Sequence, residues 1–181
     1  IITFKGAFHG RTLATIAAAG NEKYMDGFGP DMPGFDCLPY GDNELLVKTI
    51  GPETAAIMIE PIQGEGGINV ANPEHLQHLR ALCDSHGLLL ILDEVATGFG
   101  RTGTLFAHEQ AGVVPDLICL SKGLTAGYMP LAMTVAREAV FEAFLGDSFD
   151  RALPHGHSFT ANPLACAVAL ALALPAVGQE A

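Results

Sequence analysis

The sequence predicts an α/β protein of three layers, with helices on both sides of a mainly parallel sheet. Short, continuous apolar runs recur at residues 55 to 59 (Ala-Ala-Ile-Met-Ile), 88 to 92 (Leu-Leu-Leu-Ile-Leu) and 117 to 120 (Leu-Ile-Cys-Leu), the pattern of strands buried on both faces. A well-signalled helix separates the first two. Glycines, in addition, cluster at the ends of the runs.

Taken in order, Ile1-Ile2-Thr3-Phe4 opens the chain as if inside a strand. With no initiator Met, the sequence reads as a fragment. After the strand at 55 to 59, Asn72 can cap a helix, Pro73 suits its first turn, Glu74 complements its dipole and Gly87 can end it. Strand, helix and strand at this spacing form a βαβ unit, from which a parallel sheet follows. Residues 131 to 135 are expected to add a strand and 136 to 145 a helix. A last helix is expected at 163 to 174, with Asn162 and Pro163 at its start, and residues 175 to 181 abandon its pattern. No internal repeat or low-complexity linker interrupts the series.

Composition narrows the function. The chain has 181 residues, 49% of them hydrophobic, enough for one domain with a real core. Twenty acidic against nine basic residues argue against nucleic acid, because phosphate binding needs clustered Lys and Arg. The net charge of -11 mainly favours solubility. Cys37, Cys83, Cys119 and Cys166 are dispersed without CxxC spacing, as reduced thiols of a cytoplasmic protein are. The apolar stretch from Leu164 to Leu174 is shorter than the roughly 20 residues that span a bilayer. No signal peptide is visible.

Open α/β sheets bind ligands beyond the carboxyl ends of their strands. Glu60 follows Ile59, Asp93 follows Leu92, and Lys122 comes shortly after Leu120, so a βαβ reading brings three ionisable groups to one edge. Each alone is more often a cap or loop ligand. Together, an amine and an acid at neighbouring strand ends suit an electron-poor aldehyde cofactor, best pyridoxal 5'-phosphate. Lys122, hemmed in by apolar and small residues, would form the imine, and Asp93 would keep the pyridine nitrogen protonated. Phe8 offers a flat face for stacking, or ordinary core packing. Arg11 offers a planar fork for a carboxylate, or a surface salt bridge. Glu65, in Gln63-Gly64-Glu65-Gly66-Gly67, lies on a loop flexible enough to approach or leave a substrate group, or is a solvated turn residue. The seven histidines show no metal-site spacing: His75 and His78 share the 73 to 86 helix without an HExxH pattern. No metal is expected.

Five ordered motifs extend this reading. Phe8-His9-Gly10-Arg11-Thr12, Glu60 to Gly67, Asp93 to Gly103, Lys122-Gly123-Leu124 and His155 to Pro163 together resemble the class III aminotransferases over nearly the whole chain. The resemblance implies the fold type I large domain of pyridoxal-phosphate-dependent transferases and a ring held between Phe8 and Val95, with Lys122 and Asp93 in the roles above. It further implies that Ser158 reaches the cofactor phosphate of a neighbouring subunit in a homodimer. By the same resemblance Arg11 binds a substrate carboxylate, Glu65 pairs with a C-terminal arginine, and Glu60 and His9 support the residues that make these contacts. The implied reaction is ping-pong transfer of a terminal amino group from an amine donor to a keto-acid acceptor such as 2-oxoglutarate.

The motifs divide between branches. Gly27-Phe28-Gly29-Pro30 and Met32 to Asp36 look like acetylornithine aminotransferase, whereas Ala96 in place of Gln, and residues 155 to 168, look like the diaminopelargonate enzymes. Arg11 tips the balance to the acetylornithine and ornithine side. Residues 1 to 174 would then be the central part of the large domain and 175 to 181 a tail. The family's N-terminal phosphate loop and C-terminal small domain lie outside this sequence, so the alternative is a non-catalytic fragment lacking essential anchors.

Overall fold

The computed structural model describes residues 1–177. Among the described residues there are eight strands: β1 (Ile2–Phe4), β2 (Asp36–Leu38), β3 (Ala56–Ile59), β4 (Ile62–Gln63), β5 (Asn69–Val70), β6 (Leu89–Asp93), β7 (Leu117–Leu120) and β8 (Met133–Ala136). Six of them form one sheet in the order β2-β1-β3-β6-β7-β8, while β4 and β5 form a separate antiparallel hairpin. Every neighbouring pair from β2 to β7 is parallel. Only β8 runs against its neighbour, with Leu117 opposite Ala136 and Leu120 opposite Met133.

The helices are α1 (Leu13–Ala19), α2 (Glu22–Met25), α3 (Asn43–Thr49), α4 (Pro73–His86), α5 (Glu138–Glu142) and α6 (Pro163–Val177). Helix α4 forms as its sequence signals: the Asn72 side chain accepts from the His75 N–H at 2.7 Å, and Gly87 closes the helix in the left-handed region at φ 67°. Leu76, Leu79 and Cys83 recur at helical spacing and are buried. They meet Ile57, Ile59, Leu90 and Leu92, together with Leu46 of α3, in the main core. Successive strand residues point to opposite faces. Phe4 therefore faces α4, where its ring meets His75, while Thr3 and its register partner Cys37 face α1, where the Cys37 thiol reaches the Ala19 carbonyl. Helices thus lie on both faces of the sheet.

Several expectations change in detail. Burial on both faces holds fully on the α4 side, where Ile57, Leu90 and Leu92 are completely covered, but Met58, Ile91 and Cys119 on the other side are half-buried. The helix expected over 136 to 145 is reduced to α5, because Ala136 is still paired in β8 and the Arg137 N–H is bonded to the Asp116 carbonyl. Helix α6 continues past residue 174 to Val177, since one proline removes one intrahelical donor without ending the helix outright. The rest of the expected tail, 178–181, lies outside the described residues. Among the described residues no helix is long and apolar enough to cross a membrane.

Candidate active site

The chain leaves β1 for β2 on one side and returns to β3 on the other. Connections that diverge in this way leave a crevice at the carboxyl ends of the two central strands. The loop after β1 brings Phe8 and His9 there, β3 ends at Glu60, β6 at Asp93, and β7 leads into Lys122. All five line one cleft of about 180 Å³, with Glu65, Val95 and Ala96 on its walls.

Asp93 is buried and held on both oxygens. Its Oδ2 lies 2.8 Å from His9 Nδ1, and its Oδ1 accepts from the Val95 N–H at 3.1 Å. The His9 side chain is itself completely buried, and its Nε2 has no partner among the described residues. Nothing in the residues next to His9 signals this contact, which bridges 84 positions. Glu60 accepts from the Phe8 N–H at 2.9 Å and so fixes the backbone that carries the Phe8 ring. Burial pushes the Glu60 carboxyl up; the Phe8 N–H opposes this, the Asp93 charge adds to it, and His9 and Lys122 oppose it.

Lys122 departs from one expectation. Its apolar neighbours Leu120 and Leu124 are buried beneath it, yet Lys122 is exposed, because a left-handed backbone at φ 42° places it in the cleft. A non-glycine residue there is strained and persists only where its surroundings enforce it. Here Ser121 Oγ donates to the Leu131 carbonyl at 2.7 Å and Thr125 Oγ1 to the Met129 carbonyl at 2.6 Å, pinning both ends of the turn. Gly123 packs tightly between them, since a Cβ would stand 3.1 Å from Phe99 Cβ and 3.2 Å from the Gly98 carbonyl.

The neighbour of Asp93 has another task. Glu94 is wholly buried and accepts from Thr97 Oγ1, the Ala107 and His108 N–H groups, and His108 Nδ1, at 2.7 to 3.0 Å. Burial alone would raise its pKa, but these bonds and His108 outweigh it and hold the carboxyl below its ordinary value.

Glu65 is exposed at the tip of the β4–β5 hairpin, whose backbone is more firmly held than its glycines imply. Gln63, fully buried, donates to the Lys5 carbonyl at 3.0 Å and accepts from Asn69 Nδ2 at 3.1 Å. Gly66 packs so closely on the Gly6 carbonyl that no Cβ would fit. The tip is fastened to the loop after β1. Arg11 is exposed and is not among the cleft-lining residues, its guanidinium 5.4 Å from the Phe8 ring centre and 4.2 Å from that of Tyr24. Ser158, on the turn before α6, is exposed and apart from the cleft-lining residues. The structure therefore brings together Phe8, His9, Glu60, Glu65, Asp93, Val95 and Lys122, and leaves Arg11 at the margin and Ser158 outside. His75 packs edge-on to Phe4 and tilted against Tyr40, and among the described residues no three His, Cys, Asp or Glu side chains are grouped to hold a metal.

A mainly parallel sheet thus carries a buried acid and a strained lysine at its carboxyl edge. The sequence model of the family Aminotransferase class-III matches residues 1–180, and the chain belongs to that family. It is 55% identical over 172 residues to acetylornithine aminotransferase 1 of Bradyrhizobium diazoefficiens, covering 95% of this chain and 41% of that protein. With acetylornithine aminotransferase of Agrobacterium fabrum it shares 54% over 168 residues, covering 93% of this chain and 40% of the relative. The chain thus spans about two fifths of the length of these relatives. The solved ornithine aminotransferase of Toxoplasma gondii, with partial occupancy of PLP at its active site, superposes with a TM-score of 0.87 at 38% identity, covering 99% of this chain and 41% of that one. An (S)-enantioselective omega-transaminase from Thermomicrobium roseum gives 0.86 at 35% identity, covering 99% and 44% respectively.

Proposed function

We propose that this chain carries the catalytic centre of a pyridoxal 5'-phosphate-dependent ω-aminotransferase of the acetylornithine/ornithine type. The observation that carries the reading is the acid Asp93, clamped between His9 and the Val95 N–H, in the same cleft as Lys122. This donor set fits the cofactor: a free amine, an acid held from behind, and an aromatic ring whose backbone is fixed by Glu60. Bound there, pyridoxal 5'-phosphate supplies a carbonyl carbon for an amine and a ring that draws electron density from the adjoining C–H bond.

The chain's own residues do the rest. Asp93 presents a carboxylate to a ring nitrogen, and His9 prevents it from turning away. Phe8 and Val95 cover the two faces of the ring and exclude water from them. Lys122 Nζ would take the proton from the amine-bearing carbon and deliver it to the cofactor's carbonyl carbon, and would carry a proton the opposite way when the keto acid takes up the nitrogen. Arg11 binds the donor's carboxylate, and Glu65 moves its side chain on a fastened backbone to suit donor and acceptor in turn. Ser158, exposed, is free to serve the phosphate site of a second copy in a homodimer. Residues 1 to 174 are then the central part of a large domain, and the full protein works in the cytoplasm.

The names of the relatives support acetylornithine as donor, and Ala96 in the cleft wall keeps diaminopelargonate as the second reading. Both are tested in the full chain. Wild-type protein is expected to show a visible cofactor absorbance band that disappears, with turnover, in Lys122→Ala. Half-reactions with N-acetylornithine, ornithine, 4-aminobutyrate and diaminopelargonate then fix the donor. No band in the wild type would overturn the class, and turnover of diaminopelargonate without N-acetylornithine would overturn the donor.

A further inference from the structure

Arg11 combines two features. Among the described residues its guanidinium has no hydrogen-bond or ion-pair partner, and its central carbon lies over an aromatic ring, 4.2 Å from the Tyr24 centre. Stacking covers the plane of a guanidinium while leaving its in-plane N–H fork free. A long side chain held over a ring, with its N–H donors unused among the described residues, is set to meet a planar anion.

Tyr24 is itself well placed to hold it. Asn21 accepts from the Lys23 N–H at 3.2 Å with its side chain and from the Tyr24 N–H at 2.9 Å with its carbonyl, fixing the single turn of α2. The Tyr24 ring is half-buried and stands edge-on to Phe8, at 6.5 Å and 83°. Phe8 is in turn tied through its N–H to Glu60 and lines the cleft. The row Glu60, Phe8, Tyr24, Arg11 therefore runs from the cleft wall to the guanidinium. No hydrogen bond engages the Tyr24 hydroxyl among the described residues, so the ring is the working part.

We propose that Tyr24 is a positioning residue for Arg11: its ring holds the guanidinium beside the Phe8 wall and thereby sets selectivity for amines that carry a carboxylate. This rests on Arg11 being the carboxylate binder. In Tyr24→Leu the guanidinium regains its rotamer freedom, and the cost falls on binding the carboxylate rather than on proton transfer at Lys122.

The test is steady-state kinetics of the full chain with its cofactor, using whichever of N-acetylornithine, ornithine and 4-aminobutyrate is turned over, and n-butylamine as a carboxylate-free donor. Tyr24→Leu is expected to raise KM for the carboxylate-bearing donor roughly threefold to thirtyfold, the range of a stacked cation. The effect should appear far more in KM than in kcat, and far less with n-butylamine, while Tyr24→Phe restores the wild-type KM. Arg11→Leu sets the ceiling. If Arg11→Leu raises that KM and Tyr24→Leu does not, or if Tyr24→Leu weakens both donors equally, the role of Tyr24 is wrong and that of Arg11 stands. If Arg11→Leu leaves the KM unmoved, the assignment of Arg11 fails and Tyr24 falls with it.

Discussion

The cleft at the carboxyl ends of β3, β6 and β7 and the socket closed by residues 94–108 use the same materials, carboxylates and histidines, and differ in how completely each group is satisfied. In the socket, Glu94 receives four donors and its carboxyl is held below the ordinary range. In the cleft, Asp93 has two, His9 Nε2 has none among the described residues, and Glu60 is pushed the other way by burial. A saturated charge holds the fold together. Spare hydrogen-bonding capacity beside a strained lysine is what a binding site needs.

Glu94 carries the largest expected effect. Glu94→Ala strands buried N–H groups at Ala107 and His108 and is expected to cost about 3–5 kcal/mol. Asp93→Asn keeps an oxygen for the Val95 N–H and is expected to cost about 1 kcal/mol or less while sharply reducing turnover and shifting the cofactor band. Urea unfolding of the full chain measures both. Equal losses would erase the distinction between socket and cleft.

A second saturated carboxylate sharpens it. Asp116 accepts from the Leu90 N–H at 2.8 Å, Arg80 at 2.7 Å and Arg137 at 3.2 Å, near the opposite ends of β6 and β7. These bonds overcome burial and lower its pKa. Groups with lowered pKa stabilise the fold above their unfolded values, and that stability is lost as pH falls through the folded ones. The acid limb of the stability profile should therefore lie below the ordinary values of 4.5 for Glu94 and 3.8 for Asp116. Asp116→Asn is expected to cost about 1–3 kcal/mol near neutral pH and to shrink that limb, as urea unfolding across pH would show.

Legibility in the sequence divides along the same line. The runs at 55 to 59, 88 to 92 and 117 to 120 and the caps of α4 are local signals, and they placed β3, β6, β7 and α4 correctly. Because a parallel strand ends where its apolar run ends, Glu60, Asp93 and Lys122 were readable too. Strand β2 was not, being three residues between Gly34 and Pro39 whose pairing with β1 supplies the order its sequence lacks. The bond from His9 to Asp93, the four donors on Glu94 and the stacking of Arg11 on Tyr24 all depend on side chains meeting across the fold, which no local period records. The exposure of Lys122 is illegible for the same reason: composition around a residue describes its backbone neighbours, and a left-handed turn sends the side chain elsewhere.

The smallest expected effect has the opposite sign. Glu60 has a raised pKa, chiefly from burial, so its contribution to stability is full below the ordinary 4.5 and fades as pH rises through the folded value. Glu60→Gln keeps an oxygen for the Phe8 N–H and never ionises. It should leave stability unchanged in acid and increase it by up to about 1 kcal/mol at neutral pH. Lys122 is among the groups that hold the Glu60 pKa down, so the gain from Glu60→Gln should be larger in a Lys122→Ala background. A double-mutant cycle followed across pH measures that coupling, and a gain independent of both pH and Lys122 would show that Glu60 does not share the electrostatics of the cleft.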